Sequence, residues 1–429
     1  MTGNSATMRT RAVLARIGNG TNAGTFHVIA PADCLLDLEA LGAHLGGEIE
    51  TVAAEPLEQI ASLPGSYEHA IVFDNRLNCV ETLELTDDAG ATVPMSDVEF
   101  HRLVDDARHY DFCVPCQDDP TSQDRSADRA SITHTLTRFT QLRMRERLDE
   151  TISIPPLPEA ARRMLALRTD PDYEVRELIR IVEADPSLSA RLLGWANSAF
   201  YSLRDPVTSI ADAITRVLGP DVVLNMSLAI TLKQDLKLPA GHVRGLSPYW
   251  LEAMYTAATM EALANQLPLA HRRTITTGFA YVSGLLANFG TLVLGHVFPP
   301  FYARICRQQE ANRHLAHTFV DQQTIGTARE LFAAALLETW GLPDCVVDAV
   351  RFQYAERYTG ANAGYIALLR VTHQLLAPKG LSDAPSSVSQ AANGLAGALD
   401  LDARTLARVM EVITDATDAL DEMARVASA

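Results

Sequence analysis

Between Ile275 and Phe301 the chain carries no Asp, Glu, Lys or Arg. A run of that length and apolarity has to be buried, either in lipid or at the centre of a folded core. Gly278, Gly284, Gly290 and Gly295 interrupt it, Asn288 and His296 sit inside it, and Pro299-Pro300 closes it. Polar side chains within lipid need partners that a lone span does not supply. The expectation is therefore a set of buried helices at the middle of a protein core, with no membrane span.

The sequence on either side is helical by pattern. Val175, Leu178, Ile179 and Val182 fall at i, i+3, i+4 and i+7, one face of an α-helix. Asp185 before Pro186 is a helix start, because the carboxylate accepts orphan amide hydrogens and proline at the first helical position loses no hydrogen bond. Ser209 three residues before Asp212 has the form of a capping box with Asp in place of Glu, and Gly219-Pro220 is a stop. Leu406, Val409, Met410, Ile413, Leu420 and Met423 predict one amphipathic helix from Asp402 toward the end. Short turns between such segments require the helices to pack on one another. At 429 residues the chain is too long for one ordinary core, and two or three domains are expected.

The first part reads differently. Residues 25–30, 48–53, 69–74 and 79–85 have the alternation of strands, and residues 35–45 that of a helix. A polar linker (116–130) and a connecting helix (131–150, with Leu136, Phe139 and Leu142 on its apolar side) follow. The expected division is a mixed α/β domain over 1–115, that linker and helix, an all-α domain over 151–350, and a C-terminal helical extension over 351–429.

Net charge is −17, which argues against broad binding to nucleic acid or an anionic membrane. The densest basic group, Arg138, Arg143, Arg145 and Arg147, spreads around a helix and reads as a solvated surface. Cys113 and Cys116 form the one close cysteine pair, read as reduced thiols with no zinc partners. The natural compartment is the cytosol. Neither a Gly-Lys-Ser/Thr loop nor GxGxxG follows a predicted strand, and a GxSxG elbow is missing. Glu310, His314 and His317, spaced i, i+4 and i+7 with Asp321 one turn on, would share a face of an exposed helix and are weak metal-ligand candidates. Otherwise no cofactor is expected.

Ile154-Pro155-Pro156-Leu157-Pro158, Ala184-Asp185-Pro186-Ser187-Leu188, Asn197-Ser198, Leu218-Gly219 and Trp340-Gly341-Leu342-Pro343 together resemble the HDOD domain, a bacterial signalling relative of the HD phosphohydrolases. Its signature residues here are Pro156, Asp185, Pro186, Leu188, Asn197, Ser198, Gly219, Trp340 and Pro343. Enzymes of the HD superfamily hold a divalent ion with a His-Asp dipeptide. None of the twelve His in this chain precedes an Asp, and Ala287 and Asn288 stand at the corresponding place. Arg329 and Gln353-Tyr354 replace further histidines that the family often carries, so the resemblance implies a degenerate pocket of Ala287, Asn288, Arg329, Gln353 and Tyr354. The side chains of Asn197 and Ser198 are expected to bond the backbone of the turn that follows them.

Ala30-Pro31-Ala32-Asp33, Phe73-Asp74-Asn75-Arg76-Leu77 and Met95 to Phe100 resemble the aminoacyl-tRNA deacylase (prolyl-tRNA editing) family. That family depends on a lysine, and residues 1–232 contain none. Residues 61–66 also replace its Gly- and Pro-rich segment, which implies an editing fold without its chemistry. The two resemblances together imply a non-catalytic regulatory protein that binds a protein partner or signalling ligand, in cyclic-di-nucleotide or chemosensory systems. A metal-dependent phosphohydrolase using His314 and His317 or His296, and a tRNA-binding or editing factor, are the alternatives. The identity of the partner and the oligomeric state stay open.

Overall fold

The structure, a computed structural model, describes residues 7–20, 24–54, 70–79, 82–86, 92–94, 105, 107–115, 130, 132–135, 156–170, 172–197, 201, 205–235, 249–297, 299–315, 317–355, 358–382 and 394–428. Residues 61–66 and 95–100, Cys116, Ser198, nearly all of the polar linker and most of the expected connecting helix lie outside these. Contacts divide the chain into a first unit, Met1–Pro120 with Gly241–Leu246 and Pro300–Gly326, and a second, Thr121–Ala240 with Ser247–Pro299 and Thr327–Ala429. The boundary is thus discontinuous: residues 300–326, read from sequence as part of the 151–350 domain, belong to the β-rich unit.

In that unit β1 (Thr7–Gly20) is the organising strand. One edge pairs antiparallel with β2 (Gly24–Pro31). The other edge is shared, parallel to β6 (Thr82–Thr86) at Thr7–Thr10 and antiparallel to β4 (Gly47–Ala54) from Val13 onward. Beyond β2 come β5 (Ala70–Asp74) and β8 (Arg108–Tyr110), both parallel pairings, and β7 (Thr92–Pro94) flanks β6. β3 (Cys34–Leu36) and β9 (Cys113–Pro115) form a separate two-stranded ladder. Val13, Ala15 and Ile17 alternate into the core with Phe26, Val28 and Ala30 from β2.

On this core lies α1 (Leu38–Leu45), which buries Leu38, Leu41 and Leu45, at about 1.5–3 kcal/mol for each fully buried side chain. Asp37 caps it by accepting from Glu39 N at 2.9 Å and Ala40 N at 3.2 Å. Gly46, at φ 77°, ends it in the left-handed conformation that glycine adopts without strain. Four of the strands were legible from alternation. β1 was not, because Arg9, Arg11 and Arg16 break its apolar pattern, and β3, β7, β8 and β9 are too short to show a period.

The remaining helices are α2 (Glu159–Thr169), α3 (Val175–Glu183), α4 (Pro186–Ala196), α5 (Ile210–Leu218), α6 (Pro220–Asp235), α7 (Tyr249–Gln266), α8 (Leu269–Arg272), α9 (Thr277–Leu285), α10 (Phe289–Val297), α11 (Pro299–Ala311), α12 (His317–Ile325), α13 (Arg329–Thr339), α14 (Asp344–Phe352), α15 (Ala363–Leu376), α16 (Ala403–Asp415) and α17 (Thr417–Ser428). All but α11 and α12 build the second unit. The charge-free run supplies α9 and α10; Thr277–His296 is long and apolar enough to cross a membrane, and 83% of its apolar window is buried inside the protein. α7 and α9 meet closely at Gly284, where an added Cβ would stand 2.7 Å from Ala257 Cα. The single C-terminal helix expected from Asp402 is instead two. Thr414 Oγ1 bonds Met410 O at 2.7 Å, and the backbone leaves helical geometry at Ala416 (φ −88°, ψ 3°).

α11 joins the first unit through amides that imitate a strand partner. Asn312 Oδ1 accepts from Leu36 N at 2.8 Å and its Nδ2 donates to Leu36 O at 3.0 Å. Gln308, one turn earlier, accepts from Leu38 N at 3.2 Å and donates to Leu36 O at 2.5 Å. Arg11 Nη1 donates to Ala311 O at 3.3 Å.

Candidate functional site

α9 stops at Leu285 and α10 starts at Phe289, so Ala287 and Asn288 lie in the break between two buried helices. Ala287 presents only its backbone there, and its carbonyl accepts from Gln353 Nε2 at 2.7 Å. The same nitrogen donates to Val350 O at 2.9 Å, which leaves Gln353 Oε1 to accept from His373 Nε2 at 3.0 Å. His373 Nδ1 then accepts from the Ser382 hydroxyl at 2.9 Å. Gln353 is 0% exposed and His373 1%, so this chain of bonds is closed to water. The Tyr354 ring stacks on the imidazole at 5.5 Å between centroids.

Asn288 turns the other way, toward α7. Its Nδ2 donates to Tyr249 O at 3.1 Å and to Glu252 Oε2 at 3.2 Å. Burial pushes the Tyr249 hydroxyl up from its ordinary range, and the Glu252 carboxylate adds to the shift. Arg329 Nη1 donates to Thr291 Oγ1 at 3.0 Å, and α10 passes so close to α13 that a Cβ at Gly290 would lie 2.4 Å from Arg329 O. Phe289 and Trp340 pack at 5.5 Å beside them.

Ala287, Gln353 and Tyr354 therefore meet at one buried spot, while Asn288 and Arg329 bond to neighbours on other helices. The sequence reading missed His373, Ser382 and Glu252. The one signal for His373 is a lone imidazole in the apolar run of α15, and the residues that bond to it are far away in sequence. A divalent ion does not fit these donors. Ala287 has no side-chain ligand, Asn288 offers an amide where a carboxylate is needed, and both nitrogens of His373 are already hydrogen-bonded. Among the described residues no three His, Cys, Asp or Glu side chains gather in a way that would hold a metal.

The second candidate set dissolves for a different reason. α11 ends at Ala311 and α12 begins at His317, so Glu310, His314 and His317 do not share a helix face. Asn312 Nδ2 bonds Gln308 O at 2.8 Å while its other bonds reach Leu36, and the chain turns there. Glu310 pairs with Arg313 at 3.8 Å, and His314 Nε2 lies 3.2 Å from Cys34 O. Asp321 is buried and accepts from Gln309 Nε2 at 2.9 Å. The segment is not the exposed helix its polar composition suggested: Ile305, Cys306, Gln308, Gln309 and Ala311 are all buried.

The signature residues serve as helix-end devices. Asp185 caps α4 by accepting from Ser187 N at 2.9 Å and Leu188 N at 3.0 Å, with Pro186 in the first turn and Leu188 buried. Asn197, at the other end of α4, donates to Val207 O and accepts from Val207 N, each at 2.8 Å. Ser209 Oγ accepts from Asp212 N at 3.0 Å and its hydroxyl donates to Asp212 Oδ2 at 2.9 Å. Gly219 ends α5 at φ 84°. Pro156 lies exposed ahead of α2, and Pro343 caps α14 without a side-chain bond.

In the first unit, buried Asp74 organises a comparable joint. Its Oδ2 accepts from Phe112 N at 3.0 Å and Cys113 N at 2.9 Å, and its Oδ1 from Arg76 N at 3.0 Å. Burial and then the Asp74 carboxylate push the Cys113 thiol far up, which favours its protonated form.

Comparison with known proteins adds the family. The HDOD domain model matches residues 154–356. A crystal structure from Marinobacter aquaeolei VT8, provisionally described as a signal transduction protein, is 33% identical, with 98% of this chain and 94% of that one covered and a TM-score of 0.83. A Shewanella amazonensis SB2B structure, provisionally described as a phosphohydrolase, is 22% identical over 64% of this chain and 95% of its own, with a TM-score of 0.48. An uncharacterized protein of Treponema pallidum (strain Nichols) is 24% identical over 209 residues, 49% of this chain and 38% of the relative's length. The expected deacylase resemblance of residues 1–115 gains no support from these matches, since the matched family lies in the helical part. The N-terminal region is a β-rich half-barrel domain that precedes the helical one. With the 154–356 match, the helix-end signature in place and a full-length relative at 33% identity, the chain belongs to the HDOD family.

Proposed function

We propose that this is a non-catalytic regulatory protein whose helical body works by binding a protein partner or a signalling ligand. The observation that carries this reading is the closed bond chain from Ala287 through Gln353 and His373 to Ser382. Beside Ala287 the side chains of Gln353, His373 and Ser382 bond one another and are shut from solvent. A general base or a metal-bound nucleophile needs an open position beside it, and this arrangement offers none. What remains is a helical scaffold whose helix ends are held by caps and short turns. The provisional description of the Marinobacter relative supports a place in signal transduction, with cyclic-di-nucleotide or chemosensory components in the cytoplasm as the partners to try first.

The test combines metal content with turnover. Full-length protein dialysed without chelator is assayed by mass spectrometry for manganese, iron and zinc, and with bis(p-nitrophenyl) phosphate in added manganese. Substoichiometric metal and no turnover above the buffer are expected. One bound metal per chain together with hydrolysis above the buffer would overturn the proposal.

A further inference from the structure

A cleft of about 430 Å³ opens in the first unit, between α1, the turn into β4, and α11. Cavities of this size accept small molecules. Leu38, Ala43 and Ile49 give it apolar walls, and Gly46 and Gly47 leave backbone uncovered along one side. The charged groups at its rim come from opposite walls and in matched signs. Arg307 Nη2 donates to Glu48 Oε1 at 2.6 Å, and Arg304 Nη2 bonds Glu39. Arg304 and Arg307 stand three residues apart on α11, and Arg307 is held in place by a second bond to Ile49 O at 3.1 Å.

These ion pairs contribute little to stability as they stand. The Glu39 and Glu48 side chains are 68% and 76% exposed, and water and salt screen exposed pairs. A guanidinium has five N–H donors, so each arginine keeps donors beyond those it uses here. The rim thus offers cationic donors and anionic acceptors over an apolar interior, at balanced charge. A simple anion would meet repulsion from Glu39 and Glu48, and a simple cation repulsion from the arginines. We propose that the cleft binds a small zwitterion with an apolar body, the chemistry of a free aliphatic amino acid. Its carboxylate bonds Arg304 and Arg307, its ammonium bonds Glu39 and Glu48, and its side chain lies against Leu38 and Ile49. This site belongs to the β-rich unit and stands apart from the reading of the helical body.

Isothermal titration of the full-length protein with L-leucine, 4-methylpentanoate and isoamylamine tests it. These probes share the apolar body and carry both charges, the carboxylate only or the ammonium only. Saturable binding is expected for leucine alone, weakened by about tenfold or more in Arg307→Ala, the loss of one charge-assisted hydrogen bond. Ala43→Leu, at an exposed helical position that removes no bond, fills the cleft and is expected to weaken it similarly, which guards against a folding defect in the arginine variant. No binding of leucine, equal binding of 4-methylpentanoate, or leucine binding unchanged in both variants would each overturn the proposal.

Discussion

Replacing Gln353 by leucine keeps the side-chain volume close to native while removing every bond the amide makes. The Ala287 carbonyl and the His373 Nε2–H then lose their partner inside a site that water does not reach. A buried polar group left unsatisfied costs about 1–3 kcal/mol, so the two together predict roughly 2–6 kcal/mol. Against a domain stability of about 5–15 kcal/mol, this is a large part of the whole. Urea unfolding followed by tryptophan fluorescence is the appropriate assay. The three tryptophans, Trp195, Trp250 and Trp340, all lie in the second unit and report on it alone. The midpoint is expected to fall with the slope unchanged. His373→Leu removes the same bond from its other side, so the double variant is expected to fall short of the sum by about 0.5–3 kcal/mol. A loss below about 1 kcal/mol in Gln353→Leu, with no coupling to His373, would show that the bond chain does not hold the site.

Three further outcomes follow from the geometry. Gly284→Ala is expected to cost about 1–3 kcal/mol by overpacking against Thr256 O and Ala257, whereas Gly194→Ala, with nothing within 4 Å, is neutral or gains roughly 0.5–1 kcal/mol; equal effects in thermal melts refute the close approach of α7 and α9. Asp185→Ala removes the α4 cap and is expected to lower stability by about 1 kcal/mol, with Asp185→Asn recovering most of it in the same urea assay. Burial, with the bond to Asp421 at 2.8 Å, raises the Tyr255 hydroxyl to about 12. Because the folded value lies above the ordinary one near 10, the tyrosine's contribution is complete below about pH 10 and is lost as pH rises through about 12. Between those values the wild type is expected to lose more stability than Tyr255→Phe, and identical losses by circular dichroism would remove Tyr255 as the link between α7 and α17.

Local interactions were legible in the residues themselves. Asp185-Pro186, Ser209 with Asp212, and Gly219 act within one helical turn, where a side chain and the backbone it bonds are neighbours in sequence, and each does what its chemistry predicts. Strand alternation exposed β2, β4, β5 and β6 for the same reason. The absence of a His-Asp dipeptide from the chain could also be read directly. Tertiary structure alone decided what bonds Ala287, because Gln353 and, through it, His373 and Ser382 come to its carbonyl only once α14 and α15 pack beside the break. It also decided that residues 300–326 complete the β-rich unit. Gln308 and Asn312 look like surface residues by composition, and become interior ones because Leu36 and Leu38, some 270 residues earlier, present backbone groups that need partners. Sequence fixes the bonds a residue makes within its own turn; distant bonds depend on which buried groups the folded chain leaves unsatisfied.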